Sequence, residues 1–328
     1  MLDKYFPLYC IAFFITVFLT LIIEKRFIPF LKSKAKQPIY QEGPAWHVSK
    51  SGTPTMGGLA FLIATTVALG LSSLVFLFDG AKDSFFAVIL SLGFSLGNAL
   101  IGIFDDITKL KRKENAGLTP KQKLFLQFIL ASLFITLREF IFDGGTYIKF
   151  AFATFNLTWL YYPISVFILL GLINSANLTD GIDGLASSVS FAISISLFYI
   201  CAALIPEAAL ISAVLAGASL GFLFFNMNPA KIFMGDTGSL FLGALITSAA
   251  FLIENPIIFL LLASVYVIEG GSVVLQVLYY KITKKRLFKM APLHHHLEKC
   301  GFSENKICLC AVFLTLLSAI PCYILYLP

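Results

Sequence analysis

Charge is the scarcest property of this chain. Asp, Glu, Lys and Arg make up 13% of its 328 residues, about half the share usual in a soluble globular protein. No polar stretch is long enough to build a core of its own. The longest run over 24–55, 105–122, 142–158 and 281–304, so an appended soluble domain is excluded and residues 1–328 read as one integral membrane domain. The six cysteines, Cys10, Cys201, Cys300, Cys308, Cys310 and Cys322, fall in no paired spacing, which argues against a disulfide scaffold or a thiolate metal site. The first apolar run, Tyr5 to Ile23, lacks a basic leader and a small-residue cleavage site, so it reads as a retained helix and not as a signal peptide. Internal repeats are also missing, which weighs against a transporter built from duplicated halves.

What the chain has in abundance is apolar length. Hydrophobic residues reach 58%, Phe alone numbers 34 and the mean hydropathy is +0.88. Apolar runs near the ~20 residues that cross a bilayer as helix recur throughout. They show no strand-like alternation, so an all-α polytopic membrane protein is expected and a barrel is not. Ten spans are predicted, over 5–23, 56–78, 84–104, 123–141, 159–176, 184–204, 208–226, 238–253, 257–280 and 305–327. All but four of the 24 Lys and Arg (Lys4, Lys82, Arg138 and Lys149) fall on one side of that topology. That side is cytoplasmic by the positive-inside rule, so both termini face outward. The outward stretch 142–158 has hairpin character. Glu269-Gly270-Gly271 lies inside the ninth span, where glycines permit a bend and a buried Glu needs a partner or a cavity; a broken helix opening a lipid-facing groove is expected there. The net charge of +6 is spread over membrane-proximal loops and forms no continuous basic face, so nucleic acid is not an expected partner and membrane lipid is.

Against that background the acidic residues stand out. Five of nine aspartates, Asp105, Asp106, Asp180, Asp183 and Asp236, crowd at the cytoplasmic edge of the apolar spans. A carboxylate beside hydrocarbon is costly unless wetted, paired or bound to a cation. Asp105 and Asp106 end the third span, where the helix dipole disfavours them. Adjacent side chains on a helix diverge by about 100°, so one can bind while the other orients or accepts a proton. Asn174 to Gly184 interrupts two spans with a loop containing Asn174, Asn177, Asp180 and Asp183 and no cation, a polarity beyond what a plain turn needs. Asp236 precedes a helix start; an N-cap is its ordinary role, and a Mg²⁺ ligand against phosphate is the functional one. Phe233, three residues earlier, either stacks on a base or packs into lipid.

Cations complete the set. Lys50 and Lys121 enter the second and fourth spans in the same interfacial layer, where an ammonium can neutralise phosphate. His294, His295 and His296 follow the basic loop Lys281 to Lys289. They lack the i, i+4 spacing of a helical zinc motif, whereas imidazoles can donate hydrogen bonds to phosphate. Oxygen-rich ligation without thiolates favours Mg²⁺ or Mn²⁺. A divalent ion with Lys and His is the equipment of phosphoryl transfer. The active site is therefore expected in the loops 24–55, 105–122, 177–183, 227–237 and 281–304. A secondary transporter and a lipid-binding scaffold remain as readings of a different class.

Asp105-Asp106, Asn177-Leu-Thr-Asp180-Gly-Ile-Asp183-Gly-Leu, Met234-Gly-Asp236-Thr-Gly-Ser and Pro292-Leu-His-His-His-Leu-Glu together resemble the polyprenyl-phosphate N-acetylhexosamine-1-phosphate transferases. Within that family, Thr53-Pro-Thr-Met-Gly-Gly and the three histidines are similar to the bacterial peptidoglycan branch. The resemblance covers nearly the whole chain; the set is specific where no single piece would be. It implies ten helices, a homodimer in the bacterial cytoplasmic membrane, and transfer of phospho-MurNAc-pentapeptide from UDP-MurNAc-pentapeptide to undecaprenyl phosphate, giving lipid I and UMP. A sister enzyme using UDP-GlcNAc is the nearest alternative. By position, Asp236 would ligate Mg²⁺, with Asp105 and Asp106 as further candidate ligands, and Asp105 would deprotonate or orient the lipid phosphate with Asp106 assisting. Asn177, Asp183 and Phe233 would engage the uridine nucleotide, with Asn174 and Asp180 beside them. Lys50, Lys121, His294, His295 and His296 would contact phosphates or sugar. Direct attack by the lipid phosphate and a covalent aspartyl intermediate both stay open.

Overall fold

Each apolar run becomes a helix, because a backbone with no water to bond must satisfy its N–H and C=O groups internally. The computed structural model describes residues 4–34, 50, 52–112, 117–142, 145–150, 152–253 and 255–326. Seven of its helices are long and apolar enough to cross a membrane: α1 (Phe6–Lys34), α2 (Gly58–Phe78), α3 (Lys82–Arg112), α4 (Pro120–Phe142), α5 (Tyr161–Thr179), α7 (Pro206–Asn226) and α12 (Glu304–Tyr326). The others are α6 (Leu185–Cys201), α8 (Gly235–Phe251), α9 (Pro256–Leu262), α10 (Ser264–Thr283) and α11 (Leu293–Glu298). Strands β1 (Tyr147–Phe150) and β2 (Ala153–Asn156) pair antiparallel with Tyr147 opposite Asn156, the hairpin expected within 142–158. Of the expected site loops, residues 35–49, 51 and 113–116 lie outside the described residues.

The centre of the bundle is α8. Every residue from Thr237 to Phe251 is buried, with α3 and α5 packed against it and α7 behind. The outer helices α1, α4 and α12 instead expose Phe14, Phe18, Phe125, Phe128 and Phe313, a surface suited to lipid. Lipid tails are as apolar as Leu, so helix association in a bilayer depends on close packing of small residues. Gly58 of α2 meets Gly238 of α8 so closely that a Cβ at 58 would lie 2.2 Å from the Gly238 Cα. Gly102 of α3 does the same to the first turn of α8, where its Cβ would lie 2.3 Å from the Asp236 carbonyl oxygen. That second contact brings Asp105 and Asp106, one turn further along α3, beside Asp236.

Several boundaries differ from expectation. Helix α1 continues past Ile23 through Glu24, Lys25 and Arg26 to Lys34, since these are good helix formers; the exposed Lys25 and Arg26 can reach toward water, while Glu24 is buried. Helix α3 continues past Phe104 to Arg112, so Asp105 and Asp106 lie inside it. Its last turn carries Lys109, Lys111 and Arg112, the charges a helix C-terminus favours. Asn174 and Asn177 likewise belong to α5 and not to a loop. The ninth span is two helices, but they part at Ala263 and not at Gly270-Gly271. Gly270 serves close packing: a Cβ there would stand 2.0 Å from Ser175 Oγ of α5. No glycine or proline marks the break itself.

Candidate functional site

Asp106 is fully enclosed and aimed at the start of α8. Its Oδ1 accepts from the Asp236 N–H at 3.1 Å, and its Oδ2 accepts from the Thr237 N–H at 2.9 Å and the Thr237 hydroxyl at 2.7 Å. The residue at the N-cap position, Met234, makes no side-chain cap. Asp106 therefore caps α8 from a neighbouring helix, satisfying N–H groups that a helix start leaves open. The capping role considered for Asp236 belongs to Asp106, which leaves the Asp236 carboxylate, in the first turn of α8, to face the site.

Asp105 points the other way round α3. Its Oδ1 accepts from the Leu118 N–H at 2.7 Å, while Oδ2 pairs with Lys109 at 2.7 Å and Lys123 at 3.0 Å. The same two ammonium groups hold Asp236: Lys109 reaches Oδ1 at 3.1 Å and Lys123 reaches Oδ2. Ligand atoms of Asp105, Asp106 and Asp236 all lie within 4.8 Å of one another. Among the described residues, this is the one group of His, Cys, Asp or Glu compact enough to hold a metal ion. Its donors are all hard carboxylate oxygens, which fits Mg²⁺ or Mn²⁺ and not zinc. With Asp106 committed to the cap, Asp105 and Asp236 are the side chains whose oxygens face cations.

Around this centre lie the remaining residues. Asn177, on the last turn of α5, donates to Ser239 Oγ at 2.7 Å, and Asn174, one turn earlier, donates to Gln127 Oε1 at 2.8 Å. Asp180 follows the end of α5. Burial above all, and then repulsion from Asp236, Asp106 and Asp183, push its carboxyl well above the usual carboxylate range. Phe233 is half-buried in a short backbone ladder: its N–H donates to the Pro54 carbonyl at 2.8 Å, and its carbonyl accepts from the Gly57 N–H at 2.9 Å. Asp183 is fully engaged. Its Oδ1 accepts from Lys50 at 2.7 Å, and Oδ2 from Asn228 at 3.1 Å and the Ala230 N–H at 2.9 Å. Glu304 Oε2, at the start of α12, accepts from both Lys50 and the Asp183 N–H at 2.7 Å.

The three histidines form the short helix α11. His294 is buried; its Nδ1 lies 3.0 Å from Glu269 Oε2 on α10. His295 Nδ1 lies 2.7 Å from Glu298 Oε2, and His296 Nδ1 accepts from the Lys289 N–H at 3.1 Å. Each imidazole is thus held by a different partner, an arrangement unlike a shared zinc shell. Lys121 is exposed on the first turn of α4, and among the described residues it makes no ion pair with the acidic group. Two residues on, Lys123 does. Lys109, Lys123, Glu304 and Asn228 were not among the sequence candidates. Lys109 carries a sequence signal, since it lies four residues after Asp105 in a helix that runs on to Arg112.

Fold and arrangement define a class: a helical membrane protein with a carboxylate and lysine centre at the ends of its helices, matched over residues 87–254 by the family model for Glycosyl transferase family 4. Residues 50–62 match Phospho-N-acetylmuramoyl-pentapeptide-transferase signature 1. The chain is 42% identical over 301 residues to a phospho-N-acetylmuramoyl-pentapeptide-transferase of Bacillus cytotoxicus, covering 90% of each protein. It is 42% identical over 306 residues to one of Bacillus thuringiensis, again covering 90% of each. The chain belongs to the phospho-N-acetylmuramoyl-pentapeptide-transferase family.

Proposed function

We propose that this protein transfers phospho-MurNAc-pentapeptide from UDP-MurNAc-pentapeptide to undecaprenyl phosphate, yielding lipid I and UMP for peptidoglycan synthesis. The observation that carries the reading is the convergence of Asp105, Asp106 and Asp236 with Lys109 and Lys123 in a chain of this family. In the reaction a lipid phosphate oxygen attacks the sugar-bearing phosphorus of the donor. The bond from that phosphorus to the bridging oxygen breaks, and UMP departs with the electron pair. Negative charge accumulates on both partners, so catalysis is mainly positioning and charge neutralisation.

Asp236 and Asp105 would hold Mg²⁺, or Mn²⁺ in its place, with Asp106 fixing the helix turn that carries Asp236. The ion, when bound, screens the diphosphate oxygens and stabilises the departing UMP. Asp105 orients the lipid phosphate and takes its remaining proton. Lys109 and Lys123, already poised between the two carboxylates, follow the phosphate charge as it moves. Asn177 and Phe233 would receive the uridine nucleotide, with Asn174 and Asp180 beside them, and Asp183 would do so by exchanging one of its present partners, Lys50, Asn228 or the Ala230 N–H. Lys50, Lys121 and His294 to His296 line the approach of phosphates and sugar.

The seven long apolar helices, with α6, α8 and the α9–α10 pair, make ten crossings in this reading. Both termini lie outside the bacterial cytoplasmic membrane, and the acidic centre opens to the cytoplasm, where the nucleotide sugar is made. The side of the Lys and Arg residues supports that orientation, and the family resemblance supports a homodimer. A radiolabelled transfer assay tests the whole proposal. Lipid-linked product and UMP should form with UDP-MurNAc-pentapeptide, not with UDP-GlcNAc, and should vanish with EDTA and return with excess Mg²⁺. Turnover unaffected by EDTA, or a preference for UDP-GlcNAc, would refute it.

A further inference from the structure

Glu269 sits in the apolar stretch of α10, where an isolated carboxylate is expensive and calls for a reason. Its side chain is almost wholly buried. One oxygen, Oε2, faces two groups of the same residue: the His294 backbone N–H at 3.3 Å and the His294 Nδ1 at 3.0 Å. A carboxylate accepting from Nδ1 fixes both the ring orientation and the tautomer, leaving Nε2 as the working atom. That Nε2 is buried and has no hydrogen-bond partner. It points at Gly181, between Asp180 and Asp183, where a Cβ would lie 2.2 Å away.

A buried polar atom without a partner calls for an explanation, and a catalytic role is one; at Nε2 the ring's fixed orientation and the neighbouring acidic loop favour it. From these contacts we infer that Glu269 is a positioning residue, which locks His294 so that Nε2 is held against Gly181 and ready for the sugar diphosphate bound at the Asp180–Asp183 loop. The inference rests on the transferase reading above, and it adds a member that none of the acidic motifs contains. Gly181 is part of the device, because only a residue without a side chain leaves room for the imidazole against the backbone of this loop. Helix α10 is its base, since Gly270 seats it directly on Ser175 of α5 and so ties Glu269 to the helix that carries Asn174 and Asn177.

The test is a mutant cycle on the full protein in detergent or nanodiscs, with donor kcat and KM measured separately. Glu269→Ala should lower kcat/KM about 10- to 100-fold, the usual cost of losing the partner that orients a functional imidazole. Glu269→Gln, which keeps an acceptor oxygen for Nδ1–H, should recover activity to within a few-fold of the parent. In a His294→Ala background, Glu269→Ala should cost nothing more. Gly181→Ala gives a second route that leaves Glu269 intact: it should reduce kcat/KM in the parent and be silent in His294→Ala. Losses that multiply, or a Gln variant as impaired as the Ala variant, would overturn the inference. Asp236→Asn, assayed alongside, separates the two levels. If it retains Mg²⁺-dependent turnover, the transferase centre itself is misplaced; if it is dead while the Glu269 and His294 losses multiply, only the positioning role fails.

Discussion

Replacing Asp106 should damage the protein differently from replacing its neighbour. The Asp106 carboxylate accepts three hydrogen bonds from the first turn of α8, two of them from backbone N–H groups. Loss of an N-cap costs about 0.5–2 kcal/mol, and a buried N–H left without an acceptor costs about 1–3 kcal/mol. Thr237 is fully buried and Asp236 mostly so, so one N–H bears the full penalty and the other a large part of it. Asp106→Ala should therefore lose about 2–4 kcal/mol, a fall in melting temperature on the order of 5–10 °C, and turnover should fall with it because the Asp236 turn loosens. Asp106→Asn keeps one acceptor oxygen and should fall between. Asp105→Asn should instead abolish turnover with a smaller change in melting, because its carboxylate mainly faces two lysines that can rearrange toward Asp236. Thermal melts of the purified variants, paired with UMP-release assays, decide the matter. An Asp106→Ala protein that melts like the parent while inactive would refute the capping role and make Asp106 a direct ligand.

Three further outcomes are expected. Asp236→Asn should eliminate Mg²⁺-dependent UMP release while elution and melting stay near those of the parent; retained turnover would count against the assignment. Lys123→Ala should reduce kcat/KM by about 100-fold or more, since it removes a charge-assisted partner of two buried carboxylates, whereas exposed Lys121→Ala should change it no more than a few-fold; the reverse order would show that the α4 lysines are misassigned. The raised Asp180 carboxyl predicts a pH effect on stability in metal-free protein. A carboxyl whose folded pKa exceeds the unfolded one adds stability that is complete below about pH 3.9 and disappears as pH rises through the folded value. Asp180→Asn should therefore flatten the decline in melting temperature with rising pH, and an unchanged slope would contradict the assigned burial and crowding.

Much of this was legible in the sequence for a simple reason. Twenty-residue apolar runs have few alternatives in a bilayer, and carboxylates beside them need an explanation, so the helical class, the hairpin and the Asp105, Asp106 and Asp236 group could be read directly. What could not be read were contacts between distant segments. Asp106 as a cap for α8 depends on Gly102 letting α3 approach, and Lys123 rather than Lys121 reaches the centre because of the rotation of α4. Lys50 and Asp183 stand in the sequence as candidate ligand contacts, and their bonds to each other and to Glu304, a residue that carries no motif, could not be seen there. Boundaries failed where polar residues prolong a helix, as Glu24 to Lys34 do for α1 and Lys109 to Arg112 for α3, since hydropathy falls before hydrogen bonding stops. The sequence shows that Glu269 needs a partner but not which one, because His294 lies beyond the end of its helix.

The clasp among Lys50, Asp183 and Glu304 joins positions 133, 121 and 254 residues apart. Its last member arrives only with the final helix. During synthesis the acid pair of α3 can meet α8 well before that, whereas the turn bearing Asp183 gains its remaining anchor once Glu304 has left the ribosome. The Asp183 turn is therefore held by segments far apart in sequence, and its full set of bonds forms only after the start of α12 has been made.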